Sequence, residues 1–217
     1  MALTVLNLLG EGEIAYSDGL RRQRELVALR REDRVGDTLI LLQHRPTVTF
    51  GKTTRPENLL LTPAEYAQRG IELVETDRGG DVTYHGPGQL VVYPIIHLGE
   101  GSRDVHRYVR SLEEVVIRAA RRCGVTHAAR APWHAGVWVG DGYLAALGVR
   151  VSRWVTHHGF ALNVTDEVMD GFATIVPCGV AGKAVVSLSR AAAHPVTVAD
   201  AARTVAAEFA TVFGAQE

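Results

Sequence analysis

Hydrophobic positions in this chain follow two rhythms. Short apolar blocks bounded by glycine, proline and aspartate predict strands, and longer stretches with an apolar residue every third or fourth position predict helices. Strands are expected at Ala2 to Leu9, Thr38 to Gln43, Thr47 to Phe50, Ile71 to Thr76, Gln89 to Ile96 and Phe160 to Val164, with His44-Arg45-Pro46 separating the second from the third. Gly136 to Val139 and Tyr143 to Val151 read as a hairpin around Gly140-Asp141-Gly142. Helices are expected from Ser17 to Arg31, from Thr62 to Gly70, from Ser102 to Arg122 and from Thr197 to Phe213. Thr62 can cap its helix, Pro63 suits the first turn and Glu65 can close a capping box. Val105, Tyr108, Val109, Leu112, Val115, Val116 and Ala119 keep helical spacing and predict one core-facing side, with Cys123 behind them as a small core hydrophobe. Hairpins mixed with separated helices, without regular strand-helix alternation, predict an α+β fold.

Composition narrows the class. The 217 residues suit a single domain, and 47% apolar with 22% charged residues is an ordinary soluble balance. A net charge of −1 argues against a broad nucleic-acid footprint. Two cysteines, Cys123 and Cys178, are too few for a disulfide framework and fit no zinc spacing, so no metal is expected. Met1 to Leu9 lacks a basic leader and no apolar run reaches membrane-spanning length, so the expected compartment is the cytoplasm, without membrane association. A monomer is expected.

The densest chemistry lies in Arg78-Gly79-Gly80-Asp81-Val82-Thr83-Tyr84-His85-Gly86-Pro87-Gly88-Gln89. Glycines let a backbone turn through positive φ and let a ligand come close, and here they are interleaved with titratable groups. Three further segments can join this loop in one pocket: Ala145-Ala146-Leu147-Gly148, His157-His158-Gly159-Phe160-Ala161-Leu162-Asn163, and Pro177-Cys178-Gly179. Small residues there leave room for a ligand, Leu147, Phe160 and Leu162 can line an apolar slot, and Cys178 sits where a thiol can be presented at the end of an element.

These motifs, with His44-Arg45-Pro46 and Gly51-Lys52, resemble those of the lipoyl(octanoyl) transferases, over a span from Leu39 to Leu188. The resemblance implies a single catalytic domain over residues 1–217 with the biotin/lipoate protein ligase fold, a mixed sheet flanked by helices. It implies transfer of an octanoyl group from the phosphopantetheine arm of acyl carrier protein to a lysine of lipoyl domains, those of 2-oxoacid dehydrogenase E2 subunits and of the glycine cleavage H protein. Cys178 would be the acyl-thioester nucleophile, and no cofactor would be needed. Arg78, Gly79, Gly80, Asp81, Val82, Thr83, Tyr84, His85, Ala146, Leu147, Gly148, His158, Gly159 and Phe160 would bind substrate. Arg78, Arg150 and Arg153 are candidates to steer acidic carrier proteins to the pocket mouth.

One position departs from the family pattern. The lysine expected five residues before the glycine of Ala146-Leu147-Gly148 is Tyr143. A tyrosine supplies no positive charge to lower a thiol pKa. Three consequences stay open: another group takes over, with Lys183, His85 and His158 as candidates; the enzyme is slow; or the chain binds carrier or lipoyl domains without turnover. An ATP-dependent ligase fits less well, because it needs that lysine and has no use for a nucleophilic cysteine.

Overall fold

The computed structural model describes residues 3–132, 134–177 and 182–214. In chain order they form β1 (Thr4–Asn7), β2 (Glu13–Ile14), α1 (Tyr16–Arg31), β3 (Thr38–His44), β4 (Thr47–Phe50), α2 (Pro63–Gln68), β5 (Glu72–Glu75), β6 (Thr83–His85), β7 (Gln89–Ile95), α3 (Val105–Arg122), β8 (Ala128–Ala131), β9 (His134–Val139), β10 (Gly142–Ser152), β11 (Val155–Asn163), α4 (Met169–Phe172), β12 (Ala184–Val185), α5 (Leu188–Ala192) and α6 (Val198–Gly214). Among the described residues, a nine-stranded sheet runs β1-β3-β7-β11-β10-β9-β8, with β12 beside β10 and β2 beside β3; a second sheet runs β5-β4-β6. β1 pairs with β3 in parallel, whereas β3, β7, β11, β10, β9 and β8 pair antiparallel, so the large sheet is mixed and the fold is α+β as the patterning predicts.

Both faces of the large sheet are covered. Leu39, Leu41, Leu90, Val92, Leu144 and Leu162 pack against α3 and α6 through Leu112, Val115, Val116, Val205 and Phe209. Ile40, Leu42, Val91, Tyr93 and Ala161 point the other way, toward α1 and Val27. Burial on both faces explains why β3 and β7 read as unbroken apolar runs. The small sheet keeps its own cluster, built on Val48, Tyr66, Val82, Tyr84 and Phe172.

Several elements depart from the sequence reading. The strand expected from Phe160 begins at Val155, five residues earlier, because β11 pairs with β10 from Val155↔Ser152 through Leu162↔Ala145. α3 starts at Val105, with the Asp104 side chain accepting from Arg107 N, so Asp104 and not Ser102 caps it; Val105 is 39% exposed and contributes nothing to the core face. The glycine loop contains a strand of its own, β6, and the strands flanking it, β5 and β7, lie in different sheets. The Thr62 capping box, the Thr197–Asp200 cap and the buried Cys123 match the reading.

Candidate active site

The loop between the two sheets is seated by missing side chains. A Cβ on Gly51 would lie 2.1 Å from Gly80 O, and one on Gly148 would lie 2.9 Å from Gly79 O, so both positions accept only glycine while the loop stays where it is. Gly80 itself has φ +88°, a conformation that favours glycine. Gly79 N donates to Val149 O (3.1 Å), while Lys52 N and Thr53 N donate to Arg78 O (3.1 Å) and Gly80 O (3.2 Å). Asp81 accepts from Val82 N (2.7 Å), Arg55 N (3.2 Å) and Asn58 Nδ2 (2.6 Å), which makes its carboxylate a loop fastener.

Under this loop lies a narrow cavity of about 50 Å³. Its walls are Tyr16 from α1, Arg78, Gly80, Asp81, Thr83 and His85 from the loop and β6, Val91 and Tyr93 from β7, His134 from β9, Ala146, Leu147 and Gly148 from β10, and His158, Gly159, Phe160 and Ala161 from β11. Eleven of the fourteen substrate-binding residues expected from the sequence are thus together on one cavity. Gly79, Val82 and Tyr84 are not on the wall. Gly79 is bonded to β10, Val82 sits in the small sheet's core, and the Tyr84 ring lies where a Cβ on Gly171 would be, 2.0 Å from its Cζ. Leu162, expected in the slot, faces α3 instead.

The inner wall is hydrogen-bonded and neutral. His44 Nδ1 lies 2.9 Å from Ile14 O and so carries the hydrogen; its Nε2, 2.7 Å from Tyr93 OH, then accepts from that hydroxyl. Burial pushes the His44 imidazole down to about 4. His85 Nδ1 donates to Gln89 Oε1 (2.8 Å), and Gln89 Nε2 donates to Tyr84 O (3.1 Å) and Asn163 Oδ1 (2.9 Å). Asn163 Nδ2 in turn donates to Tyr143 O (3.3 Å). Burial holds His85 well below the usual imidazole range, pushes Tyr16 up to about 12 and holds Tyr93 well above the usual phenol range.

Arg78 is buried. Its Nη2 donates to Thr49 O (2.7 Å) and Oγ1 (3.0 Å), and its Nη1 to Gly79 O (3.1 Å), so it belongs to the slot rather than to the mouth where steering was expected of it. Arg150 is paired with Asp77, and Arg153 sits exposed in the β10–β11 turn at φ +50°. Asp77 also holds His158, whose Nε2 lies 2.7 Å from Oδ1. Burial opposes ionisation of Asp77, but the His158 hydrogen bond and the neighbouring positive charges outweigh it and keep the carboxyl below its usual range. Asp77, His157 and His158 are the one metal-ligand-type group among the described residues. A cation there would have to displace the His158 proton and sit beside the Arg150 guanidinium, so the cluster is built as an ion-paired network. Thr83 Oγ1 and His158 Nδ1 are buried without a partner on residues of the slot, polar atoms that a bound ligand can satisfy.

Tyr143 is buried and turned by a β-bulge, the register slipping between Tyr143↔Trp138 and Ala145↔Val137. Without the slip it would share a face with Ala145, in the α3-packed core; instead it clusters with Trp138 and Ala146. Its ring lies 4.5 Å from that of Trp138 and 5.7 Å from that of His134. Lys183 is ion-paired with Asp141 of the β9–β10 turn, just before β12, which pairs with β10 at Tyr143↔Val185. Cys178 lies outside the described residues. His134, absent from the sequence-derived candidates, stands on the cavity wall; its signal was only a histidine preceding Ala135-Gly136 at the head of a hairpin strand.

A family model described as the lipoyl protein ligase A/B catalytic domain matches residues 15–210. A protein from Chloroflexus aurantiacus named octanoyltransferase is 46% identical over 205 residues, covering 93% of this chain and 91% of its own. A Myxococcus xanthus protein of the same name is 43% identical over 211 residues, 94% of this chain but 58% of its own length, so this chain spans little more than half of that relative. Lipoate-protein ligase A, solved bound with ATP, has a TM-score of 0.77 at 15% identity over 99% of this chain and 86% of that one, a likeness of fold. No helix among the described residues is long and apolar enough to cross a membrane. Glycine loop, mixed sheet and identity along nearly the whole length agree: the chain belongs to the lipoyl protein ligase A/B catalytic-domain family, among the octanoyltransferases.

Proposed function

We propose that this protein is an acyltransferase that moves an octanoyl group from acyl carrier protein to a lysine of a lipoyl domain, through a thioester on Cys178. The observation that carries the reading is the narrow slot under the glycine-seated loop, whose wall includes Val91, Ala146, Leu147, Phe160 and Ala161. A single unbranched chain suits such a space, and each buried methylene contributes about 0.8 kcal/mol. The thiolate of Cys178 attacks the carrier thioester and the carrier thiolate leaves. The lysine amine then attacks the acyl-enzyme, and the thiolate of Cys178 leaves. The Thr83 hydroxyl, buried on the slot wall without a partner, can donate to the carbonyl oxygen as it becomes negative. The donor is already a thioester, so the transfer needs neither nucleotide nor metal. The protein acts as a cytoplasmic monomer, on E2 lipoyl domains and the H protein.

Intact-mass measurement after mixing with octanoyl-acyl carrier protein, beside Cys178→Ser, followed by a lipoyl domain, tests this. The expected result is an octanoyl adduct that requires Cys178 and then passes to the lipoyl domain. Tyr143 in place of the family lysine favours a second reading, a binder of carrier and lipoyl domains. Tight carrier binding with no adduct at neutral or alkaline pH would establish that one instead.

A further inference from the structure

We infer that the groove between α1 and the end of the β10–β11 hairpin is a binding site for a phosphate group. The inference stands apart from the transferase reading, because none of the residues of this groove lines the acyl slot.

The groove is a cavity of about 300 Å³. Leu20, Arg24, Val27 and Arg31 keep helical spacing and give it one wall from α1. Asp77, with Arg150, Ser152 and His157 of β10 and β11, gives it the other. Arg150 and His157 stand directly opposite each other in the ladder. His158 N donates to Gln23 Oε1 (2.7 Å), which fixes α1 against β11 next to Arg24.

The five arginines of α1 fall into two groups. Arg21 pairs with Asp18 and Glu25, Arg22 with Glu11, and Arg30 with Asp33 and Asp37. Arg24 and Arg31 have no carboxylate partner among the described residues, and they are the two that line the groove. Arg31 gives one N–H to Ser152 O (3.2 Å), which holds it at the end of β10. Arg150 is paired with Asp77. A guanidinium carries five N–H donors, so most of them stay available. Three guanidiniums thus face one carboxylate, and that carboxylate already holds Arg150 and His158. His157, also on the wall, is 8% exposed and its Nδ1 has no partner. Burial lowers the His157 imidazole to about 4, and His158, Arg150 and Arg31 add to this against Asp77. Both guanidiniums therefore bear on the same ring.

Arginines on a merely solvated helix face are spread apart; here they converge with Arg150 of β10 on one recess. A carboxylate offers two oxygens in a plane. A phosphate group offers its oxygens around a centre, which suits guanidinium donors that arrive from separate elements. Leu20 and Val27 leave apolar wall for the carbon of an ester. Asp77 joins the groove to the slot, because its other oxygen accepts from His158 Nε2 and His158 stands on the slot wall. Two sources carry this chemistry: a free phosphate compound, and the phosphodiester of the carrier's arm in the proposed reaction.

The test is an NMR titration of the intact protein with inorganic phosphate, beside chloride at equal ionic strength. It compares wild type, Arg24→Gln, Arg24→Gln/Arg31→Gln, and Arg107→Gln/Arg110→Gln, which removes the same charge from α3 on the other side of the sheet; thermal melts confirm folding. The expected result is saturable shifts at Arg31, Arg150 and His157 with phosphate and not with chloride. The dissociation constant should rise about tenfold or more in the α1 double variant and stay within about twofold in the α3 one. Arg24→Gln, which breaks no contact within the protein, should weaken phosphate on its own. Shifts no larger than those with chloride, an unchanged dissociation constant in folded Arg24→Gln, or equal losses in both double variants overturn the inference. Affinities for the carrier with and without its arm then identify the source. An advantage of the armed carrier that the α1 double variant abolishes assigns the phosphodiester, and an advantage that it leaves intact assigns a free phosphate compound. A groove that takes phosphate beside a slot that transfers nothing overturns the transferase reading alone. A transferring wild type whose groove prefers phosphate no more than chloride overturns this inference alone.

Discussion

The two ends of the slot treat histidine in opposite ways. At the inner wall, His44 and His85 are buried, neutral and fixed by hydrogen bonds to Ile14 O, Tyr93 and Gln89. At the rim, His134 stands edge-on to Tyr143 and Trp138, half-open to an outer groove. The same side chain is sealed from water in one place and half-open to it in the other. Variants of the inner wall should therefore cost more stability than variants of the rim.

The largest effect expected from this division is acid sensitivity. Burial holds His44 and His157 down to about 4 in the folded protein, and holds His85 well below the usual imidazole range. Unfolded histidines titrate near 6.5, so as pH falls from 6.5 toward 4 the unfolded chain takes up protons that the folded one refuses. Stability present above pH 6.5 is lost across that window, about 3 kcal/mol from His44 alone at ~1.4 kcal/mol per pH unit. Urea midpoints measured from pH 7.5 to 4.5 should fall steeply, and a flat profile would remove the claim that the inner histidines are neutral.

Next in size is Gln89→Leu. It strips partners from His85 Nδ1, Tyr84 O and Asn163 Oδ1 at once. At about 1–3 kcal/mol for each buried polar group left unpaired, the expected loss is about 3 kcal/mol, or a drop of roughly 6–12 °C in Tm. Tyr93→Phe is smaller: His44 Nε2 loses its donor, for about 1–2 kcal/mol. A melting temperature unchanged in either variant would break the comparison. The smallest effect belongs to Asp141→Asn. Its carboxylate is 86% exposed and screened by water, so losing the Lys183 pair should leave the melting temperature essentially unchanged. A transfer rate that changed with it would bring Lys183 back as the base.

Much of this site was legible in the sequence because backbone requirements leave a trace in residue type. Gly51, Gly80 and Gly148 had to be glycine, and the loop they seat was readable for that reason. The capping box at Thr62 and the turn at Gly140 are equally local. What escaped depends on partners far along the chain. Leu162 and Phe160 share one strand face in any period-two reading, and only packing decides that Leu162 meets α3 while Phe160 also borders the slot. Arg78 was expected both in substrate binding and at the pocket mouth, and only its bonds to Thr49 of β4 decide for the slot. The bulge that turns Tyr143 away from the α3 side and against the His134 ring has no sequence marker.

The chain of side chains from His85 through Gln89 and Asn163 to the Tyr143 carbonyl spans β6, β7, β11 and β10. It pins the one member that lines the slot, His85. A wall of leucines yields a little to a longer guest, because rotamers are exchanged at small cost. A wall whose ring is pinned by hydrogen bonds yields only by breaking them, so under the proposed function a longer acyl chain would meet a hard stop rather than gradual crowding. Selectivity measured along a series of acyl lengths should then fall off as a step and not as a slope.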